Sequence, residues 1–314
     1  MLNELRQQRK IQEQRKFFRY DVSVPVYLKP IVQELSASMT PQQRLIPEQI
    51  SQQYSQLTQA LNSQLNTLFK DEKFIQNGGV ELFDGLNQKL DFMIWLFDEM
   101  LQGHHPRGDD AFAAKWIQAQ KMTVPKGGHE SAFIAMLQAF YTRVDSITAE
   151  LMAVMDKKHL TKVYLFDEAS QANFSSEHYL HNLYSVAEQG NWLACVTELM
   201  IDKLNTYENA LREVKEVTQE LSNSQHWPIE SVNLAAGGFA LHSHVDIQMG
   251  DRVCALFLLD DQYVLTEAKC VGLDSSSEFD DRTKFAFQFE SISAEDEALI
   301  VRFLTSKELG SRAA

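Results

Sequence analysis

The sequence predicts an α+β protein in which a helical region is followed by a small antiparallel β-barrel, and three observations carry that prediction. Between Pro30 and about His226 apolar residues recur at helical spacing; after Trp227 and Pro228 the period drops to two and stays there almost to the end; and a separate period-two stretch opens near residue 20. The chain has 314 residues, 44% hydrophobic and 23% charged, which is enough for one large or two ordinary domains of a globular protein.

The N-terminal stretch comes first. Val22, Val24, Val26 and Leu28 alternate with Ser23, Pro25 and Tyr27, as expected of a half-buried strand, and Pro25 points to an edge position. Just before it lie Arg15, Lys16 and Arg19. Two guanidiniums four residues apart suit phosphate oxygens and the face of a purine, because each is planar, forked and always charged. The same residues also read as a solvated basic tail, since Arg6, Arg9 and Lys10 precede them against only Glu4 and Glu13.

Four helical stripes follow. Ile50, Tyr54, Leu57, Leu61, Leu65 and Leu68 form the first; Phe83, Leu86, Leu90, Met93, Phe97 and Met100 the second; Phe133, Leu137, Phe140, Val144, Ile147, Leu151 and Val154 the third. A fourth begins near Trp192 and ends on Ala210, Val214, Val217 and Leu221. Breaks fall at Gly78–Gly79, from Gly103 to Asp110 and from Pro125 to Gly128; in Lys162 to Asp167 the run Val163-Tyr164-Leu165-Phe166 suits a short strand or a helix turn, and it is read as helix. Such stripes seek other helices, so a bundle is expected, with exposed seams making it a homo-oligomer.

Beyond Pro228 the expected strands are Ile229 to Leu234, Phe239 to His242, Arg252 to Leu259, Tyr263 to Cys270 and Phe285 to Phe289. Turns are signalled at Gly237–Gly238, Gly250–Asp251 and Asp260–Asp261. Short strands at this spacing suggest a barrel. Ser293 and Asp296 have the spacing of a capping box for a last helix, whose Leu299, Ile300, Phe303 and Leu304 would cover one end.

Composition and motifs exclude several functions. A net charge of −14 disfavours a general nucleic-acid-binding surface. No long uncharged apolar run and no signal-peptide core are present, so neither membrane insertion nor export is expected, and the cytoplasm is the expected compartment. Cys195, Cys254 and Cys270 are odd in number and far apart, which fits buried thiols rather than disulfides or a zinc site. His178 and His181, His104 and His105 with Asp109 and Asp110, and His242 with His244 on one strand face are all better read as surface or packing residues than as metal ligands. No nucleophile elbow, phosphate loop or dinucleotide fingerprint appears, so no enzyme and no cofactor is expected.

Taken together, Arg15-Lys16-Phe17-Phe18-Arg19, the strand from Val22 to Leu28, and Asn233-Leu234-Ala235-Ala236-Gly237-Gly238-Phe239 resemble the PilZ domain, a receptor for cyclic di-GMP. In that family an RxxxR motif precedes the first strand and a [D/N]xSxxG motif follows in the next strand and its turn. Gly250-Asp251-Arg252-Val253, the Phe285 to Phe289 strand and the closing helix resemble the family as well, and the resemblance covers roughly residues 12 to 30 and 228 to 306.

It implies a small antiparallel β-barrel with a large all-α helical bundle inserted after the first strand. The divisions are 1–29 for the basic segment and first strand, 30–226 for the helical insertion and 227–314 for the rest of the barrel and its helix. It also implies that cyclic di-GMP binds at Arg15, Arg19, Asn233 and Gly238, with Lys16, Ala235 and Gly237 as further contacts, and that an unidentified downstream protein reads the signal. The ligand would order the arginine segment against the barrel and reposition the helices. The chain departs from the pattern in having Ala235 where the family has serine. A scaffold that oligomerises through its helices and binds no nucleotide is the alternative.

Overall fold

The structure is a computed structural model that describes residues 19–31, 40–46, 48–124, 132–161, 163–166, 187, 191–222, 224–274 and 282–313. They fall into two compact units. A barrel unit is drawn from Met1–Arg44, Leu160–Lys162 and Asn223–Ala314, and a helical unit from Leu45–His159 and Val163–Ser222.

Six strands close the barrel: β1 (Arg19–Pro30), β2 (Ile229–Ala235), β3 (Gly238–Ser243), β4 (Arg252–Leu259), β5 (Gln262–Asp274) and β6 (Thr283–Ser291). They run in the order β1-β2-β3-β6-β5-β4 with every neighbour antiparallel. The expected edge position for Pro25 is not found. β1 pairs with β2 from Arg19 to Pro25 and with β4 from Val26 to Pro30, so Pro25 sits where the strand changes partner. The N–H that proline lacks falls at that handover, and the next amide, Val26 N–H, donates to Pro228 O at 3.0 Å.

Alternation sends Val22, Val24 and Val26, Val232 and Leu234, and Phe239 and Leu241 inward to one core with Phe257, Phe285 and Phe287. The Phe239 and Phe287 rings stack at 4.7 Å, and Phe257 meets Phe239 edge-on at 5.0 Å. Asp260 and Asp261 take left-handed backbone, φ 45° and 64°, to turn β4 into β5 in two residues. Gly238 has a steric reason to be glycine, because a Cβ there would lie 2.2 Å from Phe287 O on β6.

Ile300, Phe303 and Leu304 belong to the same barrel core and are supplied by the last helix (Ala294–Ala313). Its start is capped as expected: Asp296 N–H donates to Ser293 Oγ at 3.0 Å, and Ser293 Oγ–H donates to Asp296 Oδ2 at 2.8 Å.

In chain order the helices are α1 (Pro41–Leu45), α2 (Glu48–Phe69), α3 (Glu72–Gln76), α4 (Gly79–Leu101), α5 (Phe112–Lys121), α6 (Ala132–Thr161), α7 (Trp192–Ser222) and the barrel's α8 (Ala294–Ala313). In the helical unit the second stripe is buried throughout, and the third is buried from Leu137 to Val154. The first stripe needs correction. Leu57 is exposed, and Thr58 takes the inward place four residues after Tyr54. Burial of Thr58 is tolerated because its hydroxyl bonds Tyr54 O at 2.7 Å and meets Tyr207 Oη at 2.9 Å.

Val163 to Phe166, the described part of the segment expected as helix between Lys162 and Asp167, also depart from expectation. Val163 to Phe166 are neither helix nor strand; Tyr164 and Phe166 are fully buried, and Tyr164 Oη donates to His104 O. Their apolar content serves the core rather than a helical face. Ion pairs join the long helices: Lys203 on α7, with no exposed surface, to Asp91 on α4; Lys89 on α4 to Asp145 on α6; and Arg143 on α6 to Glu208 on α7. No described helix is long and apolar enough to cross a membrane.

A groove of about 930 Å³ in the helical unit is lined by Ser55, Gln59, Asn62, Asn66, Lys70 and Asp98 among others. Asp98 is open to water yet hemmed in by the groove walls. That desolvation first, and the neighbouring Glu99 second, raise its pKa to about 6.

Two outcomes are expected. Gly238→Ala lowers the stability of the barrel by about 2 kcal/mol in urea denaturation, since Phe287 O is backbone and has little room to retreat. For Asp98 the folded-state pKa lies above the unfolded one, so its contribution improves as pH falls from about 6 towards the ordinary aspartate value of 3.8 and is most adverse above 6. Asp98→Asn should therefore raise the Tm at pH 7 and shrink the difference in Tm between pH 7 and pH 5.

Candidate functional site

Arg19 opens β1 and is exposed. It lies directly across from Ala235 on β2, and Ala235 in turn lies across from Gly238 on β3. Two positions along, Asp21 faces Asn233, which faces Ala240. Because Val22, Val232, Leu234 and Phe239 point into the core, alternation puts Arg19, Asp21, Asn233, Ala235 and Gly238 on the outer face of the barrel. Neighbouring strands lie about 4.8 Å apart, so a guanidinium on β1 reaches the β2–β3 turn at Ala236–Gly237. Arg15 and Lys16 lie outside the described residues, as do His178 and His181.

The row continues around the barrel. Gly238 faces Gln288 on β6, Gln288 faces Lys269 on β5, and Lys269 faces Arg252 on β4. Arg252 is already matched, its Nε 2.8 Å from Glu290 Oε2. Arg19 and Lys269, by contrast, make no ion pair among the described residues, so the outer face offers two exposed cations with Ala235 and Gly238 between them. No sequence signal fixed Lys269 in this row, because β5 is irregular against β6 between Glu267 and Ala268 and between Cys270 and Gly272.

Asn233 is held from the side. Its Nδ2 donates to Asp21 Oδ1 at 2.8 Å, a bond spanning 212 positions of sequence. Asp21 escaped the sequence reading, although its place two residues after Arg19 on the same strand face was available as a signal. Ala235 is buried, with 2% of its surface exposed, and Gly237 O accepts from Phe289 N–H at 3.1 Å.

The other candidate groups do not assemble into a site. His104 Nδ1 is 2.9 Å from Glu99 Oε2, and no cluster of three or more metal-ligating side chains occurs among the described residues. His242 lies on β3, and that strand ends at Ser243, so His244 lies just beyond it. Cys254 and Cys270 are buried thiols, whereas Cys195 is only partly buried. Burial is the main influence pushing the Cys270 thiol above its ordinary range, so it is a poor nucleophile.

A family model described as PilZ domain matches residues 213–306. No curated protein matches the chain. Among solved structures it is similar to an inhibitor of motility, MotI/DgrA, from Bacillus subtilis, with 17% identity over 28% of this chain and 45% of that one and a TM-score of 0.25. The chain thus spans less than half the length of that protein. It is also similar to the PilZ domain of YcgR from Escherichia coli, solved with c-di-GMP, at 16% identity over 27% and 74% of the two chains and a TM-score of 0.24. A tetrameric PilZ protein from Xanthomonas campestris, self-assembled through a helical bundle, gives 13% identity over 46% and 82% and a TM-score of 0.26. With β2 to β6 and most of the closing helix inside the matched residues, this chain carries a PilZ domain.

Proposed function

We propose that the chain is a cyclic di-GMP receptor whose ligand lies on the outer face of the barrel, over the junction of β1, β2 and β3. The observation that carries this reading is the placement of Arg19 across from Ala235, on one face with Asn233 and Gly238, in a domain of the PilZ family. Arg19 supplies a forked cation for a phosphate of the dinucleotide, and Arg15 and Lys16 are the further cationic contacts. Asn233 meets a guanine edge, while Gly237, Gly238 and Ala235 offer a floor without bulk. Binding is the whole of the chemistry, and no catalytic step is part of the proposal.

In this reading residues 30–226 are a helical insertion through which the protein self-associates. The two strands that form the site are also the two that flank the helices in sequence, since β1 ends at Pro30 and β2 begins at Ile229. A ligand that favours one arrangement of β1 against β2 acts on both ends of the helical segment, which is the route to repositioning it and to signalling a downstream protein. One observation favours a nucleotide-free scaffold instead. Ala235 lacks the hydroxyl of the family pattern, and a missing neutral hydrogen bond weakens binding by about tenfold.

Calorimetric titration with cyclic di-GMP tests the site. Arg19→Ala is expected to abolish binding without changing the fold by circular dichroism, and an unchanged affinity would remove Arg19 from the site. Ala235→Ser is expected to tighten binding by up to about tenfold. A wild-type protein that gives no heat with the ligand, together with Ala235→Ser that does, would establish the scaffold reading for the natural sequence.

A further inference from the structure

The bond between Asp21 and Asn233 has a chemical direction. A carboxylate can only accept, so the group of Asn233 facing Asp21 Oδ1 at 2.8 Å is its amide nitrogen. Its carbonyl oxygen is thereby turned to the other side, on the same outer face as Arg19. An unrestrained asparagine swaps donor and acceptor by rotating its amide and reads an edge of either polarity. One pinned through its nitrogen presents an acceptor.

We propose that Asp21 is a positioning residue that makes the site selective for guanine over adenine. The inference rests on the reading of the outer face as a cyclic-dinucleotide site. Guanine carries two donors side by side on its pairing edge, N1–H and the 2-amino group; adenine has an acceptor at N1 and no 2-amino group. A carbonyl oxygen of Asn233 fixed between N1–H and the 2-amino group satisfies guanine; adenine in the same pose sets its N1 acceptor against that oxygen, and its one edge donor, the 6-amino group, lies on the far side where guanine has O6. Leaving a polar site group unpaired is the strongest available basis for rejecting an analogue. Asp21 is exposed and lies two residues from Arg19 on the same strand, so both side chains stand on one face of β1.

The test is the ratio of affinities for cyclic di-GMP and cyclic di-AMP, measured by calorimetry on the full chain. The wild type should favour cyclic di-GMP, and Asp21→Ala should reduce that preference by about tenfold, the worth of one neutral hydrogen bond. Asp21→Asn, which still offers an oxygen to Asn233 Nδ2, should retain most of it. In an Asn233→Ala background, Asp21→Ala should leave the ratio unchanged, as required if the two act as one unit. If Asp21 only fastens β1 to β2, Asp21→Ala lowers the Tm and weakens both dinucleotides equally, and the constant ratio overturns the proposal. Equal affinity of the wild type for the two dinucleotides overturns it too. A wild type that binds neither removes the receptor reading along with it, so the two failures are told apart.

Discussion

The pairing of β1 with β2 is the constraint on which the rest depends. Seven register positions with β2, Arg19 with Ala235 through Pro25 with Ile229, and five with β4, Val26 with Phe257 through Pro30 with Val253, join the start of the chain to its last third. Without them the five C-terminal strands would form an open sheet with two bare edges, β2 on one side and β4 on the other, each a template for unwanted pairing. With them, one strand covers both edges, because β1 is long enough to serve β2 with its first half and β4 with its second.

The same pairing creates the outer face. A register slip of one residue would carry Val22 and Val24 out to solvent and Arg19 and Asp21 into a core of phenylalanines. Inward valines therefore guarantee the outward arginine, and the burial that stabilises the barrel also aims the groups proposed to bind. Gly238 shows the coupling from the other side, since the absence of a side chain there lets β6 approach β3 and leaves the face beside Arg19 low.

Much of this was legible in the sequence where one physical rule dominated. Alternation gave the strands, and the Asp260–Asp261 turn and the Ser293–Asp296 cap lay where their chemistry required. Legibility failed where two rules competed. Pro25 argued for an edge because proline cannot donate, yet a strand shared between two partners has an interior point where no donor is needed. Leu57 looked like part of a stripe because it is apolar, whereas helical geometry favoured Thr58, whose hydroxyl is satisfied locally. Val163 to Phe166 were apolar enough for a helix but are spent on core contacts in an irregular segment. Of the candidate residues, Arg19, Asn233 and Gly238 stand on three neighbouring strands of the barrel. Asp21 was not foreseen, since its meaning comes from a partner on another strand, and no single-strand pattern reveals a cross-strand bond.

The bond between Asp21 and Asn233 also sets a clock. Synthesis proceeds at about 5–20 residues per second, so the 212 positions that separate these two residues take roughly 10 to 40 seconds to appear. For that interval β1 has left the ribosome with three valines and no barrel to join, while the helices made in between have ample time to fold, helix formation being a matter of microseconds. The first of the six barrel strands to be made thus waits for a partner until the whole helical segment has been synthesised and β2 follows it.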